Sequence, residues 1–202
     1  GVFEVGEFLS ELVEVPVLDR HIVTGKRARR IGAIYPYETI RALLGAIGAD
    51  AAVAPHPDLE RSGASFTELD LDVSGERLIA VERGPGENTA AVVIGLVTHP
   101  TRKHPNGMMR VFIASDPTMA MGALAEPECR RILCAIDLAE ARRLPIEWLP
   151  VSSGAKIAMD SGTENLDWTA RVLRKLIEFT QGGGEVNIIV AGVNVGAQSY
   201  WN

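Results

Sequence analysis

Between Thr89 and Val193, apolar runs of strand length alternate with longer stretches of helical period. That alternation restricts the chain to a layered α/β architecture. "TAAVVIGLVTH" and "MMRVFIAS" read as buried strands joined by the turn "PTRKHPNG". Ahead of them, "FTELDLDV" alternates apolar with polar, "RLIAVER" is a short strand and "GPGEN" a turn. Behind them, a helix is expected from about Pro127, where proline suits a first turn, to about Arg143. Its inward face is Ile132, Leu133, Ile136 and Ala139. "IEWLPVS" then reads as a strand, and "NLDWTARVLRKLIEFTQ" as a helix capped by Asn165 or Asp167 and ended by Gly182-Gly183-Gly184. "VNIIVAGV" is the last strand, buried like the others, and the strand–helix–strand–helix–strand order implies right-handed parallel crossovers. Earlier, "YPYETIRALLGAIGA" reads as a turn at Pro36 and a helix with Ile40, Leu43 and Leu44 inward; residues 50 to 65 read as a loop.

With 202 residues, 47% hydrophobic and 23% charged, the chain suits one globular domain with a full core, or such a domain plus a short extension. No apolar run is long enough to span a bilayer, and the acidic start (Glu4, Glu7, Glu11) is unlike a signal or transit peptide. Cys129 and Cys134 would diverge around a helix, so neither a disulfide nor a metal site is suggested and a reducing cytoplasm is the expected location. A net charge of −6 weighs against nucleic acid as a partner but leaves room for a phosphorylated small ligand.

Two of the strands run into small-residue turns, Ser153-Gly154-Ala155 and Gly196-Ala197. Such turns let a ligand approach the main chain, and two converging N–H donors can hold a developing oxyanion, at roughly 3–4 kcal/mol per donor. On the residues alone, tight turns forced by packing are an equal alternative. A serine nucleophile at Ser152 or Ser153 has less support, because no G-x-S-x-G elbow surrounds it and His21, His56, His99 and His104 all read as solvated loop or turn residues. Asp160 and Glu164 are either acid–base groups or water-facing, and Trp148 and Trp168 read as core. The basic run from Asp19 to Arg30 is either a solvated helix face or a docking surface for phosphates, through Lys26, Arg27, Arg29 and Arg30.

Several short segments keep one order from about residue 26 to 160: Tyr35-Pro36-Tyr37-Glu38, Arg83 to Asn88, Pro105-Asn106-Gly107, Ser115-Asp116-Pro117-Thr118, "LAEARRLP" and Ser153-Gly154-Ala155-Lys156. Together they resemble the N-terminal half of the carboxyltransferase domain of multidomain, biotin-dependent acetyl-CoA carboxylases. The resemblance implies an α/β, crotonase-like (ClpP/crotonase superfamily) superhelical β-β-α fold. An N-terminal extension, residues 1–30 and partly helical, would precede an acyl-CoA-binding half at 31–202, cut off at its C-terminus inside the element after "GVNVGAQSYWN".

Its implied chemistry is transfer of CO2 from carboxybiotin, borne on a separate carrier domain, to the alpha carbon of an acyl-CoA. The backbone of Ser153, Gly154 and Ala155 would hold the thioester enolate, with Gly196 and Ala197 as a second glycine turn. Lys26, Arg27, Arg29, Arg30 and Lys156 would contact the substrate. Lys156 and Ala191 each stand where the family pattern has arginine. Implied partners are the C-terminal half of the carboxyltransferase domain, the biotin carboxyl carrier domain and the biotin carboxylase domain, in a homodimer or higher oligomer without nucleic acid or membrane. Alone, such a half is expected to be inactive. The competing readings are another crotonase-type acyl-CoA hydratase or decarboxylase, and a noncatalytic assembly domain.

Overall fold

The two most apolar runs become adjacent central strands because both faces of the sheet are covered, which removes the need for a polar side. A computed structural model describes residues 25–26, 28–30, 32–44, 64–100, 103–158 and 162–201. The segment 1–24, Arg27, His21, His56, most of the loop at 50–65 and Asp160 lie outside them. The elements are α1 (Pro36–Leu43), β1 (Ser65–Leu71), β2 (Leu78–Ala80), β3 (Val92–His99), β4 (Met108–Ser115), α2 (Glu126–Arg142), β5 (Ile146–Leu149), α3 (Thr163–Gln181) and β6 (Val186–Ile188). Helical residues also occur at 25–26 and 28–30, and short 3-10 helices cover Ala120–Gly122 and Gly196–Tyr200.

The sheet order is β2-β1-β3-β4-β5-β6. β2, β1, β3 and β4 pair antiparallel, whereas β4, β5 and β6 run parallel with α2 and α3 as the intervening crossovers. Period-two alternation sorts the side chains into two cores. Val92, Ile94, Val111, Ile113, Ile146 and Trp148 face α2 and α3 and meet Cys129, Ile132, Ile136, Val172 and Phe179. Val93, Val97, Phe112, Ala114 and Leu149 face the other way and pack on Ala28, Tyr35, Tyr37 and Ile40. Ala28 is fully buried there, so the described end of the expected extension is part of the core.

Three expectations need correcting. The last strand is a three-residue edge, not a buried one, and Ile189, Val190, Val193 and Val195 after it are each about half exposed. α3 is capped neither by Asn165 nor by Asp167: Gly162 is its N-cap, and the Glu164 carboxylate accepts the Gly162 N–H at 2.9 Å. Trp168 is only half-buried, with the Arg130 and Arg171 guanidinium groups 4.8 and 4.5 Å from its ring centroid. Trp148 is fully buried, and both cysteines are free, burial pushing the Cys129 thiol up to about 12.

Glu68 and Asp70, polar positions in the alternating "FTELDLDV", are buried. Arg83 binds Glu68 at 2.5 Å and Asp70 at 2.6 Å; Arg131 of α2 reaches Asp70 at 2.7 Å, and the Tyr37 hydroxyl donates to Glu68 at 3.0 Å. The network fastens β1, α1, α2 and the "RGPGEN" turn to one another. Burial pushes the Asp70 carboxyl up, but the Leu71 N–H, Arg83 and Arg131 more than offset it and hold it below its ordinary 3.8. A carboxyl lowered in this way stabilises the fold above the unfolded-state value and loses that contribution as pH falls toward the folded value. Asp70→Asn should cost about 3–5 kcal/mol at neutral pH by leaving two arginines underpaired. Urea melts should show the gap to wild type narrowing as pH drops below 3.8; a pH-independent gap would contradict the assignment.

Candidate functional site

Chain segments leave the carboxyl ends of the three parallel strands and cross one another, the usual place for a ligand in an open α/β sheet. Pro150 lacks an N–H and stops β5, leaving Val151 and Ser152 buried but outside the ladder. Ser152 forms an isolated parallel bridge with Asn194: its N–H donates to Val193 O at 2.8 Å, and its carbonyl accepts the Val195 N–H at 3.0 Å. On the other side, Ala155 bridges Leu124, with Leu124 N–H on Gly154 O at 2.9 Å and Lys156 N–H on Leu124 O at 2.7 Å.

The two turns singled out from sequence touch. Gly154 has φ +98° and Gly196 φ +65°, both in the region that favours glycine. A Cβ added to Gly196 would lie 3.0 Å from Gly154 Cα; one added to Gly154 would lie 3.3 Å from Gly196 Cα and 3.6 Å from the Ala197 nitrogen. No side chain fits between these backbones without displacing them.

The expected donors are not equivalent. Gly154 N–H donates to Ser152 Oγ at 2.9 Å and Ser153 N–H to Met121 O at 3.1 Å, so both are engaged. In the parallel bridge to Leu124, it is the Gly154 carbonyl and the Lys156 N–H that pair, so the Ala155 N–H faces away from it. Gly196 and Ala197 head a 3-10 helix, where the first N–H groups have no partner within the helix. Among the described residues, the bridge and the 3-10 helix therefore leave the N–H groups of Ala155, Gly196 and Ala197 unused. That second turn is anchored by Gln198, fully buried with Nε2 3.4 Å from Ser115 Oγ, and by Trp201 against Trp148 at 5.6 Å.

Other expected residues divide. Lys156 is exposed beside the first turn, while its carbonyl accepts Asn165 Nδ2 at 2.9 Å. Lys26 and Arg30 are exposed; Arg29 is held by Glu38 through two bonds of 3.0 and 3.1 Å. Residue Ala33, just past this run, has its Cα 3.5 Å from where a Gly192 Cβ would lie, so the basic segment leads to the approach of the second turn. Ala191 is half-buried on that approach. Glu164 spends one carboxylate oxygen on Gly162. Among the described residues, no three His, Cys, Asp or Glu gather into a metal-binding group, and no helix is long and apolar enough to cross a membrane. A cleft of about 450 Å³ opens at the opposite end of the sheet, beside Met108, Pro145 and Glu185, and none of the expected site residues lines it.

Sequence reading missed the third wall of the site. Ala120, Met121 and Gly122 are consecutively left-handed (φ 46°, 56° and 68°), and this turn receives the Ser153 N–H and the Ser152 hydroxyl. It also missed a knot in which Asn88 Nδ2 donates to Asp116 Oδ2 at 2.9 Å while Thr118 Oγ1 donates to Asp116 Oδ1 at 2.5 Å. Asn88, Asp116 and Thr118 belong to the segments that carried the family resemblance, and here they fasten loops beneath the site. The serine two residues before a glycine was the available signal for the Ser152 bond, since such hydroxyls commonly accept that N–H.

The fold and these turns define an α/β domain in which glycine turns cross at the carboxyl ends of the parallel strands. Its sequence relatives are acetyl-CoA carboxylases: that of Saccharomyces cerevisiae is 35% identical over 92 residues, 46% of this chain and 4% of that protein. Acetyl-CoA carboxylase 1 of Arabidopsis thaliana is 33% identical over 97 residues (48% and 4%), and that of Oryza sativa subsp. japonica 28% over 113 residues (54% and 5%). The family resemblance read from the sequence is thus found in the comparison: about half of this chain is similar to a part of acetyl-CoA carboxylases, and the matched stretch spans 4 to 5% of the length of these relatives. No protein-family profile matches it.

Gly122 gives the most local test of this geometry. An added Cβ would run into the Val151 carbonyl oxygen, at a φ of +68° that already disfavours a side chain. Gly122→Ala should therefore destabilise the fold by at least about 2 kcal/mol, read by thermal or urea melting. A variant that melts like wild type would show that the three segments do not cross as described.

Proposed function

We propose that this chain is the acyl-CoA-binding half of a biotin-dependent carboxyltransferase domain, of crotonase-like β-β-α fold. The observation that carries the reading is the contact of Gly154 and Gly196, whose main chains lie too close for a side chain on either. A thioester oxygen is small, accepts two hydrogen bonds and gains negative charge when the alpha proton leaves. The amides of Ala155 and of Gly196 or Ala197 would meet that oxygen, and because they are fixed before reaction they would stabilise the enolate more than the ground state. Lys156, and Lys26 and Arg30 on the approach, would serve the phosphates of CoA as exposed cations.

Biotin would supply the activated carboxyl group from a carrier domain, as the names of the relatives and the sequence resemblance together suggest. A site made of backbone donors fits the carbonyl side of that reaction. The biotin side, carrier and biotin carboxylase are assigned to other parts of the parent enzyme, which would work as a cytoplasmic homodimer or larger assembly. Glu164, the one acid–base candidate near the turns among the described residues, caps the start of α3 with one of its carboxylate oxygens, which weighs against the hydratase alternative.

Gly154→Val tests the reading in the full-length carboxylase. A side chain at φ +98° would fill the gap between the turns, so kcat should drop by roughly a hundredfold or more with a smaller change in KM. A folded Gly154→Val enzyme with wild-type kcat would refute the oxyanion site.

A further inference from the structure

We propose that Ser152 is a positioning residue whose hydroxyl decides which backbone N–H groups of the two turns stand open to a ligand. The proposal rests on the acyl-CoA reading above and deepens it. From sequence, Ser152 was weighed only as a nucleophile, a role its burial and its two hydrogen bonds weigh against. The residue is 1% exposed, and its hydroxyl proton is donated to Gly122 O at 2.7 Å. The same oxygen accepts the Gly154 N–H at 2.9 Å.

The direction of this relay is fixed. A carbonyl oxygen cannot donate and an amide N–H cannot accept, so the hydroxyl must send its proton to Gly122 and turn a lone pair to Gly154. Its main chain is committed as well, to Val193 O and the Val195 N–H. One small residue therefore joins all three segments of the site: the left-handed turn at 120–122, the 153–155 turn, and the lead-in to Gly196. By capturing the Gly154 N–H, it removes that group from the donor set and leaves Ala155 and the head of the Gly196–Tyr200 helix to meet a ligand oxygen.

Without the hydroxyl, the Gly154 N–H is released and competes for the same oxygen, and the spacing to the Gly122 turn is no longer held. A ligand oxygen would still bind, but off the line of the donors meant for it. The loss should fall on the chemical step more than on affinity, because small misplacements of a reacting group are costly.

The test uses Ser152→Ala and Ser152→Thr in the full-length carboxylase, with Gly154→Val alongside, and amide hydrogen exchange at Gly154 in each. Ser152→Ala should lose about tenfold to a hundredfold in kcat with KM little changed, and its Gly154 amide should exchange faster. Ser152→Thr, which keeps the hydroxyl, should recover most of both. A change in stability alone would move neither the kcat-to-KM split nor the rescue. Should Ser152→Ala not fold, Ser152→Cys replaces it, with a weaker donor and acceptor at the same place and the same ordering expected. Wild-type kcat and unchanged Gly154 exchange in the variant lacking the hydroxyl, with Gly154→Val impaired, would overturn the role of Ser152 alone. Wild-type kcat in Gly154→Val would overturn the acyl-CoA reading itself.

Discussion

Three backbone segments leaving parallel strands have to cross within van der Waals contact, and the geometry of the site follows from that constraint. Gly154 and Gly196 are glycine because a Cβ on either would meet the other's main chain, and Gly122 because its Cβ would meet Val151 O. Close crossing strands polar main-chain groups away from regular secondary structure, and each needs a partner or a use. The Ser152 hydroxyl satisfies two of them, and the isolated bridges satisfy others. In the proposed reading, donors left for a ligand here are a by-product of how tightly the turns pack, which would also make them rigid enough to act on a transition state.

Holding the crossing in place requires a stiff base. The sheet supplies it by being buried on both faces at β3 and β4, so that neither strand can slip by one residue without exchanging its two cores. Around that base, buried polar groups lock the loops. Glu128 accepts the Ala91 N–H at 2.9 Å and the Ala125 N–H at 3.0 Å, joining the lead-in of β3 to the start of α2. Asp116 collects Asn88 and Thr118. Arg83 and Arg131 share Asp70. Charged groups this deep contribute little net stability as pairs, but an unpaired one is costly, so they specify a single arrangement of the loops.

Much of this was legible in the sequence. Strand and helix periods placed β3, β4, α2, β5 and α3 to within a few residues, because each buries a strong apolar face. The two small-residue turns were found for a sound reason: glycine after an apolar run marks a close approach. Their mutual contact was not readable, since nothing local says which turns will meet. β6 was read as buried because "VNIIVAGV" is apolar, yet an edge position leaves much of it open. The burial of Glu68 and Asp70 could not be read from the alternation of "FTELDLDV", since their pairing with Arg83 and Arg131 depends on tertiary contacts across 13 to 61 residues. Met121 and Ala120 gave no hint of left-handed backbone, as neither residue type favours it.

The central claim is that backbone amides grip a thioester oxygen, and infrared difference spectroscopy of bound acetyl-CoA labelled with carbon-13 at the thioester carbonyl reads that grip directly. Hydrogen bonds from preorganised donors polarise the carbonyl and lower its stretching frequency below the value in water. The account predicts such a downshift on binding, together with amide shifts at Ala155 and at Gly196 or Ala197 but not at Gly154. A bound thioester whose carbonyl absorbs at or above its frequency in water would contradict it.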